Sequence, residues 1–188
     1  MVQARPLSFE LNEELLALLG QEFSPKEVVA KFAAAIAGKK GAEVEAAAKS
    51  VFGAFGRDWI RRAHQLGEEY SDRTWEVLQA AADQTGTLRF ALFPQRTLEI
   101  AYLAINDIGT LPIIENSAQR LVWKMVDCAV NKALREKLGD EAAGLMPCRH
   151  ACLSAAEALH QDLGLDAIVE MQASMAKEGY CQFGARRA

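Results

Sequence analysis

A stripe of apolar residues at helical spacing runs through the first half of the chain and predicts one long helix over residues 42–66. The side chains of this stripe recur every three or four positions: Val44, Ala47, Val51, Phe55, Trp59 and Ala63. Such spacing places them on one face of a helix. Gly53 and Gly56 lie in the same segment, and each weakens a helix by about 1 kcal/mol relative to alanine. Their presence predicts close packing of this helix against another.

Further helices are predicted before and after this segment. Their expected bounds are 9–19, ending at Gly20; 28–37, ending at Gly38; and a helix through Ala82 that begins at Ser71 or Asp72. The start of the second is well defined, because Ser24 can accept from free amides, Pro25 suits the first helical position and Glu27 can reach back. These patterns predict a helical region over residues 1–84.

The second half mixes helix and strand patterns. Alternating apolar residues predict strands at 120–126, 167–172 and 180–185, and a short strand at 88–93. Helices are predicted at 131–138, ending at Gly139, and at 147–163, ending at Gly164. Residues 97–105 are apolar on both sides and fit either a strand or a buried helix. Residues 111–117 are interpreted as an apolar turn, with Asn116 or Ser117 capping the next element.

The expected fold is therefore α+β, with a helical N-terminal layer and a small antiparallel sheet with helices in the C-terminal half. The expected regions are 1–84, helical, and 85–188, which holds the cysteines. No repeat or long linker separates them, so we expect one compact unit.

Charge and hydropathy exclude several function classes. A net charge of −4 disfavours a nucleic-acid partner, which requires a concentrated basic surface. No apolar stretch approaches the roughly 18 residues needed to cross a bilayer, so no membrane partner is expected. The N-terminus lacks the pattern of a signal peptide, which predicts a cytoplasmic protein. Motifs typical of nucleotide, dinucleotide, serine-hydrolase and zincin sites are absent from the sequence.

The four cysteines all lie in the last third of the chain, at Cys128, Cys148, Cys152 and Cys181. In a cytoplasmic protein, clustered cysteines favour metal binding or catalysis over disulfides. With Pro147 in a first helical turn, Cys148 and Cys152 share one face. The helix N-terminus is expected to lower the pKa of the Cys148 thiol. Cys181 lies on the final strand, whereas Cys128 is interpreted mainly as a core residue.

Three segments that contain these cysteines resemble segments of a known protein family. The runs WKMVDCAVNKAL, MPCRHACLSAAEAL and GYCQF resemble the L-2-amino-thiazoline-4-carboxylic acid hydrolase-like family and related uncharacterised bacterial proteins. The final strand is also similar to the small-molecule-binding domain named after the bacteriochlorophyll vinyl reductases. The resemblance covers about a third of the chain. It implies hydrolytic opening of a small sulfur–nitrogen heterocycle, or binding of a small ligand near Cys148, Cys152 and Cys181. A further acidic site residue would correspond to Asp166 or Glu170.

Three hypotheses follow. The first is a cysteine-dependent hydrolase or lyase for a small organic, possibly S/N-heterocyclic substrate, with Cys148, His150, Cys152 and Cys181 as catalytic residues. Its substrate-binding residues would be Arg149, Glu115 and Trp123. The second is a protein that binds zinc or an iron–sulfur cluster through Cys148, Cys152 and Cys181. The third is a small-ligand-binding or helical interaction module. A homodimer through the N-terminal helices, with Phe55 and Trp59 on the interface, is a further expectation.

Overall fold

The fold is taken from a computed structural model, which describes residues 13–70, 77, 80–81, 83–84 and 92–188. The helices within these residues are α1 (Glu13–Glu22), α2 (Pro25–Ala35), α3 (Ala42–Glu69), α4 (Leu92–Ile105), α5 (Ala129–Gly144), α6 (Arg149–Asp162) and α7 (Met175–Glu178). The strands are β1 (Ile113–Asn116), β2 (Arg120–Met125), β3 (Ala167–Ala173) and β4 (Cys181–Arg187). The predicted α+β class is confirmed, with a four-stranded antiparallel sheet and helices in both halves.

The N-terminal helices begin and end largely where local chemistry predicts. The Ser24 hydroxyl accepts from the Glu27 amide at 3.4 Å, and Pro25 occupies the first turn of α2, as expected. The predicted end of α1 at Gly20 is wrong, because the helix continues to Glu22. A Cβ at Gly20 would lie 2.6 Å from the Ala104 carbonyl oxygen, so this glycine permits close packing rather than ending the helix. Most of the predicted 71–82 helix and residues 88–91 of the predicted strand lie outside the described residues.

The glycines of α3 mark its contact with α6, which confirms the predicted close packing. A Cβ on Gly56 would lie 2.0 Å from the carbonyl oxygen of Ala151. A Cβ on Gly53 would lie 3.2 Å from the Ser154 hydroxyl, which is the tip of a side chain and can move. The backbones of the two helices therefore approach most closely at Gly56. This contact joins the helical N-terminal region to the cysteine-containing region in one hydrophobic core.

Helix α4 settles the open interpretation of residues 97–105 in favour of a buried helix. Its apolar residues Leu98, Ile100, Ala101 and Leu103 are at most 1% exposed, which is typical of a helix enclosed on all sides. The indole Nε1 of Trp59, on α3, donates to the Ala101 carbonyl oxygen at 3.2 Å. This hydrogen bond satisfies a buried donor and fixes α4 against α3.

The sheet has the strand order β1-β2-β4-β3, with every neighbouring pair antiparallel. The predicted strands β2, β3 and β4 are confirmed within one or two residues. The interpretation of residues 111–117 as an apolar turn is wrong, because β1 occupies Ile113–Asn116 and pairs with β2. Ser117 lies in the turn that follows, and its hydroxyl accepts from the Arg120 amide at 3.0 Å.

The segments around α5 and α6 bring the cysteines together. Gly139 interrupts α5 with a φ of 86°, at the position where the sequence predicts a helix end. The chain then reaches Met146, whose φ of 55° is in the left-handed region, before α6 begins. Gly164, with a φ of 67°, follows the end of α6.

No helix among the described residues is long and apolar enough to span a membrane.

Candidate functional site: a cavity lined by four thiols

The four cysteines line one cavity between the sheet, α3, α4 and α6. Cys128 is the N-cap of α5, Cys148 is the N-cap of α6, and Cys152 lies one turn further along α6. Cys181 begins β4, opposite Met125 of β2. All four are free thiols. Cys128 packs against the hydrophobic core, as the sequence predicts, and the turn after β2 also brings it to the same cavity as the other three.

The remainder of the cavity wall is mostly apolar and rich in polarisable groups. Two thioethers, Met125 and Met146, add to the four thiols. Four aromatic rings also line it: Phe55, Trp59, Tyr102 and Phe183. The polar residues in the wall are Asn106, Asn131 and Arg149.

The cavity is small in this structure. Its volume is about 20 Å³. A water molecule requires roughly 10–15 Å³ on this measure, whereas a cavity that takes benzene has about 150 Å³. In this conformation there is space for about one water molecule. A larger ligand requires at least one wall residue to move.

Burial raises the pKa of all four thiols. The largest cause in each case is the loss of solvation of the thiolate. Neighbouring cysteines add to the effect at Cys148, Cys152 and Cys181. The pKa of Cys181 rises from 9.0 to about 11, and that of Cys148 rises further. The prediction that the helix N-terminus lowers the pKa of Cys148 is therefore wrong, because desolvation outweighs the helix dipole. At pH 7 the cavity is lined by neutral thiols.

Asn131 of α5 lies beside the sulfur atoms and is buried. Its Nδ2 is 3.8 Å from the Met146 Sδ and 4.0 Å from the Cys148 Sγ. Its Oδ1 accepts from the Arg135 Nε at 3.1 Å, which fixes the orientation of the amide. Met146, which contacts this amide, has a left-handed backbone conformation that is uncommon for a side chain of this size. In the sequence, Asn131 lies in a helix with an ordinary surface pattern, so nothing there indicates that its side chain faces the thiols.

Tyr102 of α4 presents a buried hydroxyl to the cavity. Within the described residues this hydroxyl has no partner in hydrogen-bonding geometry, and neither has the indole nitrogen of Trp123. The Cys152 thiol and the Trp123 indole lie close enough to this hydroxyl to act on its pKa through hydrogen bonding, in opposite directions. Burial raises its pKa well above 10, so the phenol stays neutral.

Glu99 lies on α4 three residues before Tyr102, and therefore on the same side of the helix. It is 2% exposed, and its carboxylate accepts from the Gln95 Nε2 at 2.7 Å. Burial raises the pKa of Glu99 from 4.5 to about 7, against the opposing effects of Gln95 and Arg96. Glu99 does not line the cavity. Because residues 97–105 are apolar on both sides, the sequence did not indicate that Glu99 or Tyr102 lies near a site.

The remaining predicted site residues lie in different places. Arg149 lines the cavity, and its guanidinium pairs with Glu45 and donates to the Leu145 and Met146 carbonyl oxygens. His150 is not among the residues that line it, and its Nε2 lies 2.8 Å from the same Glu45 carboxylate.

Glu115 and Trp123 are also outside the cavity wall. Glu115 is on β1, 3.4 Å from the Arg120 guanidinium. Trp123 is fully buried behind Phe183, with ring centroids 5.8 Å apart. The acidic residues Asp166 and Glu170 are exposed at and beside β3, and neither lines the cavity.

Two further expectations concern metals and dimers. Among the described residues, no group of three or more His, Cys, Asp or Glu is arranged to hold a metal ion. The thiols thus share a cavity without forming a preassembled zinc or cluster site. Trp59 cannot form a dimer face, because it is 2% exposed and lies in the core.

A scan of the chain against protein-family models found no match, and a search of curated proteins found none either. The family resemblance of the cysteine segments therefore stays a prediction.

Proposed function

We propose that this protein binds a small, uncharged, aromatic ligand in the cavity between its four thiols. The observation that carries the proposal is the convergence of six sulfur atoms and four aromatic rings on one space. Thioether sulfur makes favourable contacts with aromatic rings, worth about 0.3–1.5 kcal/mol each. A wall of this composition therefore suits a flat, polarisable molecule.

The charge distribution supports a neutral ligand. Arg149 is the one charged side chain among the residues that line the cavity, and its charge is already compensated by Glu45. An anion or cation in this space would lose its hydration without gaining a free partner of opposite sign. Neutral molecules avoid that cost.

Tyr102 supplies a point of polar recognition. Tyr102 lines the cavity, and its hydroxyl lies beside the Cys152 thiol and the Trp123 indole without a well-formed hydrogen bond to either. A ligand hydroxyl or carbonyl within reach would complete this bond, with a net gain of about 1 kcal/mol. We therefore propose a ligand with a ring and one polar substituent, such as a phenol.

The hydrolase hypothesis has less support than binding. A nucleophilic cysteine requires a substantial thiolate fraction near pH 7. Burial instead raises the pKa of every cysteine in this cavity.

The four free thiols are consistent with a reducing compartment, and we propose that the protein is cytoplasmic.

Calorimetry with toluene and p-cresol tests the proposal. Both should bind the wild-type protein saturably, with p-cresol about fivefold tighter because of its hydrogen bond to Tyr102. The substitution Tyr102→Phe should abolish this preference while toluene still binds. Tyr180→Phe is the matched control, because Tyr180 lies over Lys124 outside the cavity and its loss should change nothing. Absence of saturable binding by both probes, or equally tight binding of benzoate, contradicts the proposal.

A further inference from the structure

A second concave surface lies directly beside the thiol-lined cavity and shares one wall residue with it. This groove, which we call the α2–α3 groove, has a volume of about 350 Å³. Its larger apolar side chains are Phe23, Val28, Val51 and Phe55, and its charged side chains are Glu22, Glu27, Lys31 and Asp58. Of these residues, Phe55 also lines the cavity.

We propose that the α2–α3 groove is the entrance for the ligand and that the Phe55 side chain is the gate between groove and cavity. This inference rests on the proposed ligand-binding function and specifies how its site is reached. The gate opens when the Phe55 ring leaves the cavity wall and moves into the groove.

The volumes of the two spaces support this movement. The cavity of about 20 Å³ is far below the roughly 150 Å³ that holds benzene. When the Phe55 ring moves out, it vacates space of the size of a phenyl ring at the cavity wall. The groove has the volume to receive that ring. One side-chain rotation thus both opens the cavity and makes space for an aromatic ligand.

The ring contacts of Phe55 are apolar. Its ring packs edge-on against Phe23, with centroids 5.7 Å apart, and stacks on Trp59 at 6.0 Å. These are apolar contacts that a ligand ring can replace. A phenylalanine on a helix has two accessible χ1 rotamers, so rotation requires no backbone change.

The cavity wall at Arg149 is held more firmly than the wall at Phe55. Arg149 is tied to the carbonyl oxygens of Leu145 and Met146 and to the Glu45 carboxylate. Opening on that side would break several hydrogen bonds, two of them to backbone oxygens. The Phe55 side therefore offers the less costly route.

The rate of p-cresol binding and of alkylation by N-ethylmaleimide tests the gate. Each cavity cysteine is followed separately by peptide mass spectrometry, with Cys148 and Cys181 as the buried reporters. If the open state is populated at or below about 10%, Phe55→Ala should accelerate both reactions by at least about tenfold. Phe55→Trp, which enlarges the gate, should slow both. Opposite effects of the two variants distinguish gating from general destabilisation.

Val44→Ala is the control, because Val44 packs on the same helix but lines neither the cavity nor the groove. Its rates should equal those of the wild type. If Phe55→Ala does not fold, Phe55→Leu replaces it with a smaller expected acceleration. Unchanged rates in the Phe55 variants, with p-cresol still bound, overturn the gate and leave the binding function standing. Failure of the wild-type protein to bind p-cresol overturns both.

Discussion

Replacing Glu99 with glutamine should remove a large part of the dependence of stability on pH. The carboxyl group is 2% exposed, and burial raises its pKa from 4.5 to about 7. A raised pKa means that the folded state favours the protonated acid. Its contribution to stability is therefore complete below pH 4.5 and is lost as pH rises through about 7. At about 1.4 kcal/mol per pKa unit, the loss is about 3 kcal/mol.

Urea denaturation between pH 4.5 and pH 8 measures this effect. We expect the difference in unfolding free energy between Glu99→Gln and the wild type to shift by about 3 kcal/mol in favour of the variant over this range. Taking the difference cancels the other titrating groups, and the glutamine oxygen can still accept from Gln95. A difference that does not change with pH would refute the reasoning, because it would mean that Glu99 titrates normally.

Other predictions concern packing and protonation. Gly56→Ala should destabilise the protein by more than about 2 kcal/mol, because its Cβ would meet the Ala151 carbonyl oxygen, whereas Gly53→Ala should change stability by less than about 1 kcal/mol. Chemical denaturation of the two variants compares them directly, and equal effects contradict the helix contact. The Cys181 thiol should titrate above pH 9 when its thiolate absorbance is followed in a variant that lacks the other cysteines, because burial is the largest cause of its raised pKa. A midpoint below 9 contradicts its burial. Burial lowers the pKa of His160, so its stabilising effect is present above pH 6.5 and is lost on acidification. The NMR titration of its ring should show a midpoint below 6.5, and a midpoint above that value contradicts this assignment.

The sequence was most informative where local chemistry decides the structure. The Ser24-Pro25 cap and the apolar stripe of α3 depend on residues close together in the chain. The sequence predicted that another helix would pack closely at Gly56, since a glycine in a long helix usually has a packing role. Its partner, Ala151, was not predictable because it lies almost a hundred positions away.

The character of the site depended on tertiary burial, which local sequence does not encode. A helix start favours thiolate in an exposed cysteine, so the pattern around Cys148 indicated a reactive thiol. Once folded, the same residue is 6% exposed and surrounded by other thiols. Tyr102 and Glu99 were hidden in an apolar run whose helical or extended state could not be decided by periodicity. Only the packing of α4 shows which way they face.

The most direct test of the account is the NMR signal of the methionine methyl groups during titration with p-cresol. Met125 and Met146 line the cavity, whereas Met171 and Met175 do not. We expect saturable shifts of the Met125 and Met146 methyl signals, with those of Met171 and Met175 unchanged. Unshifted Met125 and Met146 signals, or shifts confined to Met171 and Met175, would contradict a ligand site between the thiols.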